Sequence, residues 1–146
     1  MFMAFSRHTL TDCAYIDDLS RQQRVEVERC ASMLYGLIHS RFIITAAGMQ
    51  RMLEKYQQAQ FGTCPRVFCR GQAVLPIGLS DIPNQSGTNV FCPCCHEVYV
   101  PKSTATGAVD GSFFGTTFAH LFLLLHPQYI PKRYSVVLYS YLYYLL

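Results

Sequence analysis

A chain of 146 residues fits one domain or two small ones around a modest core. Hydrophobic residues make up 51% and charged residues 14%, with ten Tyr and ten Phe, an apolar excess that favours a partner-covered surface. The formal charge of +3 is mild, and Arg21, Arg24, Arg29, Arg41 and Arg51 are dispersed instead of striped, which argues against a dedicated nucleic-acid binder.

Residues 1–19 carry no clear period, and the sequence predicts a weakly ordered segment there. Arg7, His8 and Asp12 interrupt the start, so no secretory n-region and apolar h-region is visible. From Ser20, a plausible N-cap, Val27, Cys30, Ala31, Leu34, Leu37, Ile38, Arg41 and Phe42 recur at three- and four-residue steps and predict a first helix. Thr45 opens a second helix through Met49, Met52, Leu53 and Tyr56, closed by Phe61-Gly62, and these positions are expected to form a helix–helix core. Beyond Thr63 short runs alternate with turn signals at Cys64-Pro65, Arg70-Gly71, Leu75-Pro76-Ile77-Gly78 and Ile82-Pro83-Asn84, which suits short strands and loops. A Gly- and Thr-rich loop is expected over residues 103–112, then a helix or buried segment over Phe113–Leu125, ended by His126-Pro127. The C-terminal tract Tyr134–Leu146 is the most apolar, but its 13 residues fall short of the roughly 20 that a membrane-spanning helix needs. The expected organisation is therefore α+β. It comprises an N-terminal segment 1–19, a helical lobe 20–62, a four-cysteine ribbon with the following helix at 63–126, and a tail at 127–146.

The strongest chemical signal is a pair of cysteine knuckles, Cys64-x4-Cys69 and Cys92-x2-Cys95, separated by 22 residues. Such knuckles converge four thiolates on one ion, and tetrahedral sulfur ligation suits Zn²⁺, one per chain. The intervening segment is long enough for a β-hairpin, the layout of a zinc ribbon. A closed four-sulfur site leaves no position for water or substrate, so the metal builds structure and performs no chemistry. Cys92-Pro93-Cys94-Cys95 offers two pairings. Adjacent thiolates rarely both reach one tetrahedral ion, so Cys92 and Cys95 are the assigned ligands and Cys94 a free thiol. Cys13 reads as an exposed thiol and Cys30 as a small core residue. Seven cysteines, an odd number, with four of them in knuckles, imply a reducing intracellular setting, cytoplasm or nucleus.

Catalysis has no candidate in the sequence. His39, His120 and His126 read as packed or hydrogen-bonded residues, and His96 as a neighbour of an already complete ligand set. Phosphate-binding glycine loops and the signature elements of protein kinases are missing. A zinc-ribbon nucleic-acid or transcription-type module, using Arg66 and Arg70 beside the first knuckle, is the alternative binding reading. An iron–sulfur or redox protein using the same thiolates is a third.

Longer strings narrow this choice. Met33-Leu34-Tyr35-Gly36-Leu37-Ile38-His39, Met52-Leu53-Glu54-Lys55-Tyr56-Gln57-Gln58, Cys64-Pro65-Arg66-Val67, Leu75-Pro76-Ile77-Gly78-Leu79-Ser80-Asp81-Ile82-Pro83, Pro101-Lys102-Ser103 and Pro131-Lys132-Arg133 resemble the casein kinase II regulatory (beta) subunit family. The resemblance runs nearly without gaps from about Ala31 to Arg133. It implies a helical lobe followed by a zinc ribbon, with Cys64, Cys69, Cys92 and Cys95 as ligands. It further implies a non-catalytic homodimer packed ribbon to ribbon through Pro65, Phe68 and Val98. That dimer would bridge two kinase catalytic (alpha) subunits and influence which protein substrates they phosphorylate, with no membrane involved. Leu138-Tyr139-Ser140-Tyr141 looks like a version of the family's docking hairpin, with Tyr139 and Tyr141 as its aromatic pair. Both ends depart from the pattern: the family's opening serine-acidic segment, first helices and acidic loop lack counterparts before Ser20, and the stretch from Arg133 to Leu138 is shorter.

Overall fold

The computed structural model describes residues 20–131. Helix α1 spans Arg21–Phe42. Its start is a capping box: the Gln23 amide donates to Ser20 Oγ at 3.3 Å, and the Ser20 amide donates to Gln23 Oε1 at 2.9 Å. Two otherwise orphaned N–H groups are satisfied this way. Thr45 caps helix α2, Ala46–Gln57, by accepting from the Gly48 amide at 3.2 Å. The two helices meet at 94°. Gly48 permits that corner, since a Cβ there would stand 2.0 Å from the Phe42 carbonyl oxygen.

Helix α2 is amphipathic and buries Met49, Met52 and Tyr56. These side chains join Ile43, Leu75, Ile77, Phe91, Phe114, Phe118 and Phe122 in the main core. The partner of α2 is therefore the chain's later half. The expected helix–helix core does not form with α1, whose axis turns away and whose Leu34, Leu37, Ile38 and Phe42 remain exposed. Cys30 corrects another expectation. It is exposed, and its thiol donates to Glu26 at 3.7 Å. Contact between α1 and the core is local, centred on buried Gly36, where a Cβ would lie 2.2 Å from the Phe113 ring. No single described helix is long and apolar enough to cross a membrane.

Three short strands, β1 (Leu75–Ile77), β2 (Asn89–Phe91) and β3 (Val98–Tyr99), form one antiparallel sheet in the order β1-β2-β3. Leu75 faces Phe91, and Val90 faces both Pro76 and Tyr99. Pro76, which has no N–H for a ladder, is tolerated because β1 is an edge. The connection from β1 to β2 is anchored on the chain beyond the sheet. Gly78 donates to the Gly115 carbonyl at 2.9 Å, Gly111 to that of Ser86 at 2.8 Å, and Thr88 to that of Val109 at 2.7 Å. Residues 103–112 are not a plain loop. Ser103 caps a one-turn helix, α3 (Thr104–Gly107), and Gly87 bridges Asp110. The expected segment Phe113–Leu125 is helical only as α4, Phe118–Leu125. A 3-10 turn (Gly111–Phe113) precedes it, and Gly115, at φ +75°, breaks the path between the two. Phe118, Ala119 and Phe122 of α4 are fully buried against α2 and β1, each phenylalanine contributing about 1.5–3 kcal/mol.

Candidate metal centre

Each knuckle is a backbone device before it is a ligand set. In the first, Cys64 donates to the Gln72 carbonyl at 2.8 Å, and Cys69 closes a 3-10 turn by donating to that of Arg66 at 3.0 Å. Arg70 and Gly71 then adopt left-handed conformations, which reverse the chain. In the second, Cys92 donates to the Glu97 carbonyl at 3.0 Å, and the His96 amide returns to that of Cys92 at 2.9 Å. His96 takes φ +62° there. The sheet fixes one knuckle against the other, because Val74 leads into β1 and Cys92 follows β2 directly.

The sulfurs of Cys64, Cys69, Cys92 and Cys95 consequently lie within 4.8 Å of one another. Cys64 and Cys95 are 3.9 Å apart. Four thiolates around one tetrahedral Zn²⁺, each at about 2.3 Å, stand about 3.8 Å from one another. The donor set and its spacing fit such an ion. Cys64, Cys69 and Cys92 are buried, and Cys95 is half-buried. The four cysteines picked out by their spacing are thus brought together by the fold, and Cys94 stands outside the group.

The electrostatics of the cluster are uneven. Burial and the thiols of Cys64, Cys95 and Cys94 push the Cys69 thiol up. Burial raises Cys92 to about 11, against the amides of Cys95 and Cys94 that point at its sulfur. Cys95 goes the other way. Burial pushes it up, but hydrogen bonds from the Tyr99 hydroxyl, the Glu97 amide and neighbouring thiols hold it down at about 6. The Tyr99 oxygen is 3.3 Å from its sulfur, and Tyr99 is in turn raised by that bond. Sequence reasoning missed Tyr99 as a partner of the cluster. Its signal was position, four residues past Cys95 and opposite Val90.

Around the knuckles the surface is apolar. Pro65, Phe68 and Val98, the predicted contact residues, are all exposed, Phe68 at 79%. Val67 (85%) and Val100 (81%) extend that apolar surface. Pro65, Tyr99, Val100 and Pro101 line a groove of about 340 Å³ beside the metal centre. Tyr99 and then Cys95 raise the pKa of Arg66, one of the two arginines of the nucleic-acid reading. Tyr139, Tyr141 and Cys13 lie outside the described residues.

Three of the described histidines pack against aromatic rings of the fold. His39 Nδ1–H donates to the Phe113 carbonyl at 2.9 Å, and its ring packs edge-on against Phe114. His120 packs on Phe91 and His126 on Phe122.

These features define a small mixed helix-and-sheet protein organised around a four-thiol centre able to hold a metal. The family model described as casein kinase II regulatory subunit matches residues 4–143. A putative casein kinase II subunit beta-4 of Arabidopsis thaliana is 50% identical over 117 residues, covering 80% of this chain and 41% of that protein. The casein kinase II subunit beta of Schizosaccharomyces pombe is 44% identical, covering 85% and 58% respectively. For the casein kinase II subunit beta' of Drosophila melanogaster the figures are 52%, 74% and 49%. The chain belongs to the casein kinase II regulatory subunit family, which is the non-catalytic side of that kinase. It spans about half the length of the curated relatives it matches.

Proposed function

We propose that this chain is a regulatory subunit of casein kinase II that dimerises through a structural zinc ribbon and docks catalytic subunits. The observation that carries the reading is the convergence of four thiols within a chain that matches the regulatory family over residues 4–143. Zn²⁺ held by Cys64, Cys69, Cys92 and Cys95 supplies rigidity and no reaction step, since four sulfurs close its coordination. The architecture is then a helical lobe, a ribbon, a following helix and a tail. The apolar surface of Phe68, Val98 and Pro65 suits a two-fold contact, which uses one patch twice. Tyr139 and Tyr141 are the proposed anchors for a catalytic subunit, whose activity, stability and choice of protein substrates the dimer modulates. The working compartments are cytoplasm and nucleus, where thiols stay reduced.

The test joins two measurements. Light scattering of the zinc-loaded protein is expected to give a dimer mass, lost in Phe68→Asp. Capture of a casein kinase II catalytic subunit is expected with wild type and not with Tyr139→Ala/Tyr141→Ala. A zinc-bound monomer refutes the dimer. A dimer that never captures the kinase refutes the docking role.

A further inference from the structure

The second knuckle leads into β3, and that turn brings a phenol to the metal centre. The Cys92 amide donates to the Glu97 carbonyl at 3.0 Å, and the chain returns along β2 with Tyr99 paired to Val90. The Tyr99 ring packs against the buried group of Cys64, Cys69, Val74, Val90 and Cys92. Its hydroxyl oxygen then stands 3.3 Å from the Cys95 sulfur. Strand β3 has two residues and pairs in the sheet with β2, so this contact gives it a further attachment.

Cys95 is the candidate ligand with the weakest enclosure. It is half-buried where Cys64, Cys69 and Cys92 are buried, so electrophiles in solvent reach its residue most easily. Metal binding fixes the direction of its hydrogen bond with Tyr99. A metal-bound thiolate carries no proton, so the phenol O–H donates and the sulfur accepts. Four thiolates outweigh the charge of a divalent ion, which leaves the closed centre anionic. A donor at one ligand sulfur draws off part of that charge, orients the ligand and makes its sulfur a weaker nucleophile.

We propose that Tyr99 is a positioning residue of the metal centre: its hydroxyl caps the Cys95 sulfur, orients that ligand on the ion and shields it from attack. The inference rests on the zinc reading above. The ring supplies packing and the hydroxyl supplies the cap, so Tyr99→Phe removes the second and keeps the first. The cap protects the one ligand that burial leaves most open.

The test uses the full chain loaded with Zn²⁺ or Co²⁺ and compares wild type with Tyr99→Phe. The variant is expected to keep a four-thiolate cobalt spectrum. Its sulfur-to-metal charge-transfer band should move to longer wavelength, because an uncapped thiolate holds its electrons less tightly. Zn²⁺ affinity is expected to fall on the order of tenfold, the lower end for losing a partner that orients a ligand. Alkylation mapped by mass spectrometry is expected to speed up several-fold at Cys95, with Cys64, Cys69 and Cys92 unchanged. A ring that only packs would leave all three readings at their wild-type values, and that result overturns the proposal. Faster labelling of all four ligands alike, the mark of a loosened fold, overturns it too. Where Tyr99→Phe does not fold, cadmium NMR of the loaded wild type decides. Coupling between the metal and the Tyr99 hydroxyl proton across the sulfur supports the cap, and its absence overturns it. A wild type that binds no metal overturns the zinc reading itself.

Discussion

Helix α1 and the segment from Val74 to Phe122 draw on similar apolar side chains and treat them in opposite ways. Along α1, Leu34 and Ile38 are 60% and 58% exposed, although they sit at helical spacing on an apolar stripe. In the later segment Leu75, Phe118 and Phe122 are fully buried. The difference lies in how many elements converge. Phe118 and Phe122 meet α2 from one side and β1 from another, and the metal knuckles close one end of the sheet. Among the described residues, helix α1 leaves the body at a 94° corner and comes back to it around Gly36 and His39. A stripe shows which face of a helix prefers to be covered; it does not provide the cover.

The sharpest way to widen this contrast is to remove the metal. Structural zinc in small ribbons contributes about 10–16 kcal/mol, as much as the whole stability of an ordinary domain. Chelation of the zinc-loaded protein is expected to abolish amide protection at Val74, Val90 and Cys92, whose neighbours are the ligands themselves. Protection at Met52 in α2 should fall too, because β1 and Phe91 belong to its core. Exchange along Arg21–Cys30 should barely change, since that half of α1 is already exposed. Hydrogen exchange with and without chelator measures all three. Unchanged protection of the sheet in the apo protein would show that the ribbon holds itself.

A second contrast compares single side chains. Phe118→Ala is expected to cost about 3–5 kcal/mol through lost burial and a cavity. Leu34→Ala, on the exposed face of α1, should stay within about 0.5 kcal/mol. Denaturant unfolding of the two variants decides it. A comparable loss in both would mean that Leu34 is covered in solution.

The same contrast explains what could be read from the sequence. The capping residues Ser20 and Thr45 and the spacing of the knuckles are local signals, and the elements start where they say. The four-thiol cluster was legible for the same reason, because two short spacings and one long one determine it. The packing of α2 was not legible. Met49, Met52 and Tyr56 announce a buried face, but nothing nearby tells that its partner is α4, some 60 residues later. Tyr99 escaped for a similar reason: its link to Cys95 depends on how the second knuckle turns into β3. The break before α4 depends on Gly115 and on Asp81, which accepts from the Thr116 amide at 2.8 Å from a distant loop.

The junction between the two regions gives a smaller effect. Gly36→Ala improves helix propensity by roughly 1 kcal/mol, but the new methyl meets the Phe113 ring at 2.2 Å. Overpacking of that kind costs about 1–3 kcal/mol, so a net loss of about 1 kcal/mol is expected, together with faster exchange in the C-terminal half of α1. Thermal unfolding that rises in this variant would show that Phe113 moves aside freely and that α1 is barely attached.

His39 should give the smallest signal, and it tests the same junction through pH. Burial holds its pKa below the usual histidine value, partly offset by the bond to the Phe113 carbonyl, and Lys55 lowers it further. The folded protein therefore binds fewer protons here than the unfolded chain over the interval between the folded pKa and the ordinary value of about 6.5. Stability rises with pH where the unfolded state holds more protons, so this contribution is complete above about 6.5 and declines as pH falls below it. Protonation keeps Nδ1–H, so the bond to Phe113 survives, and the penalty is that of charging a half-covered ring. Asn in place of His39 keeps a donor near the Nδ1 position and cannot titrate. Between pH 7.5 and 5.5 the melting temperature of wild type is expected to fall more than that of His39→Asn, with the remaining histidines common to both. Parallel curves would mean that the ring is solvated, and that α1 rests on the body more loosely than its bond to Phe113 implies.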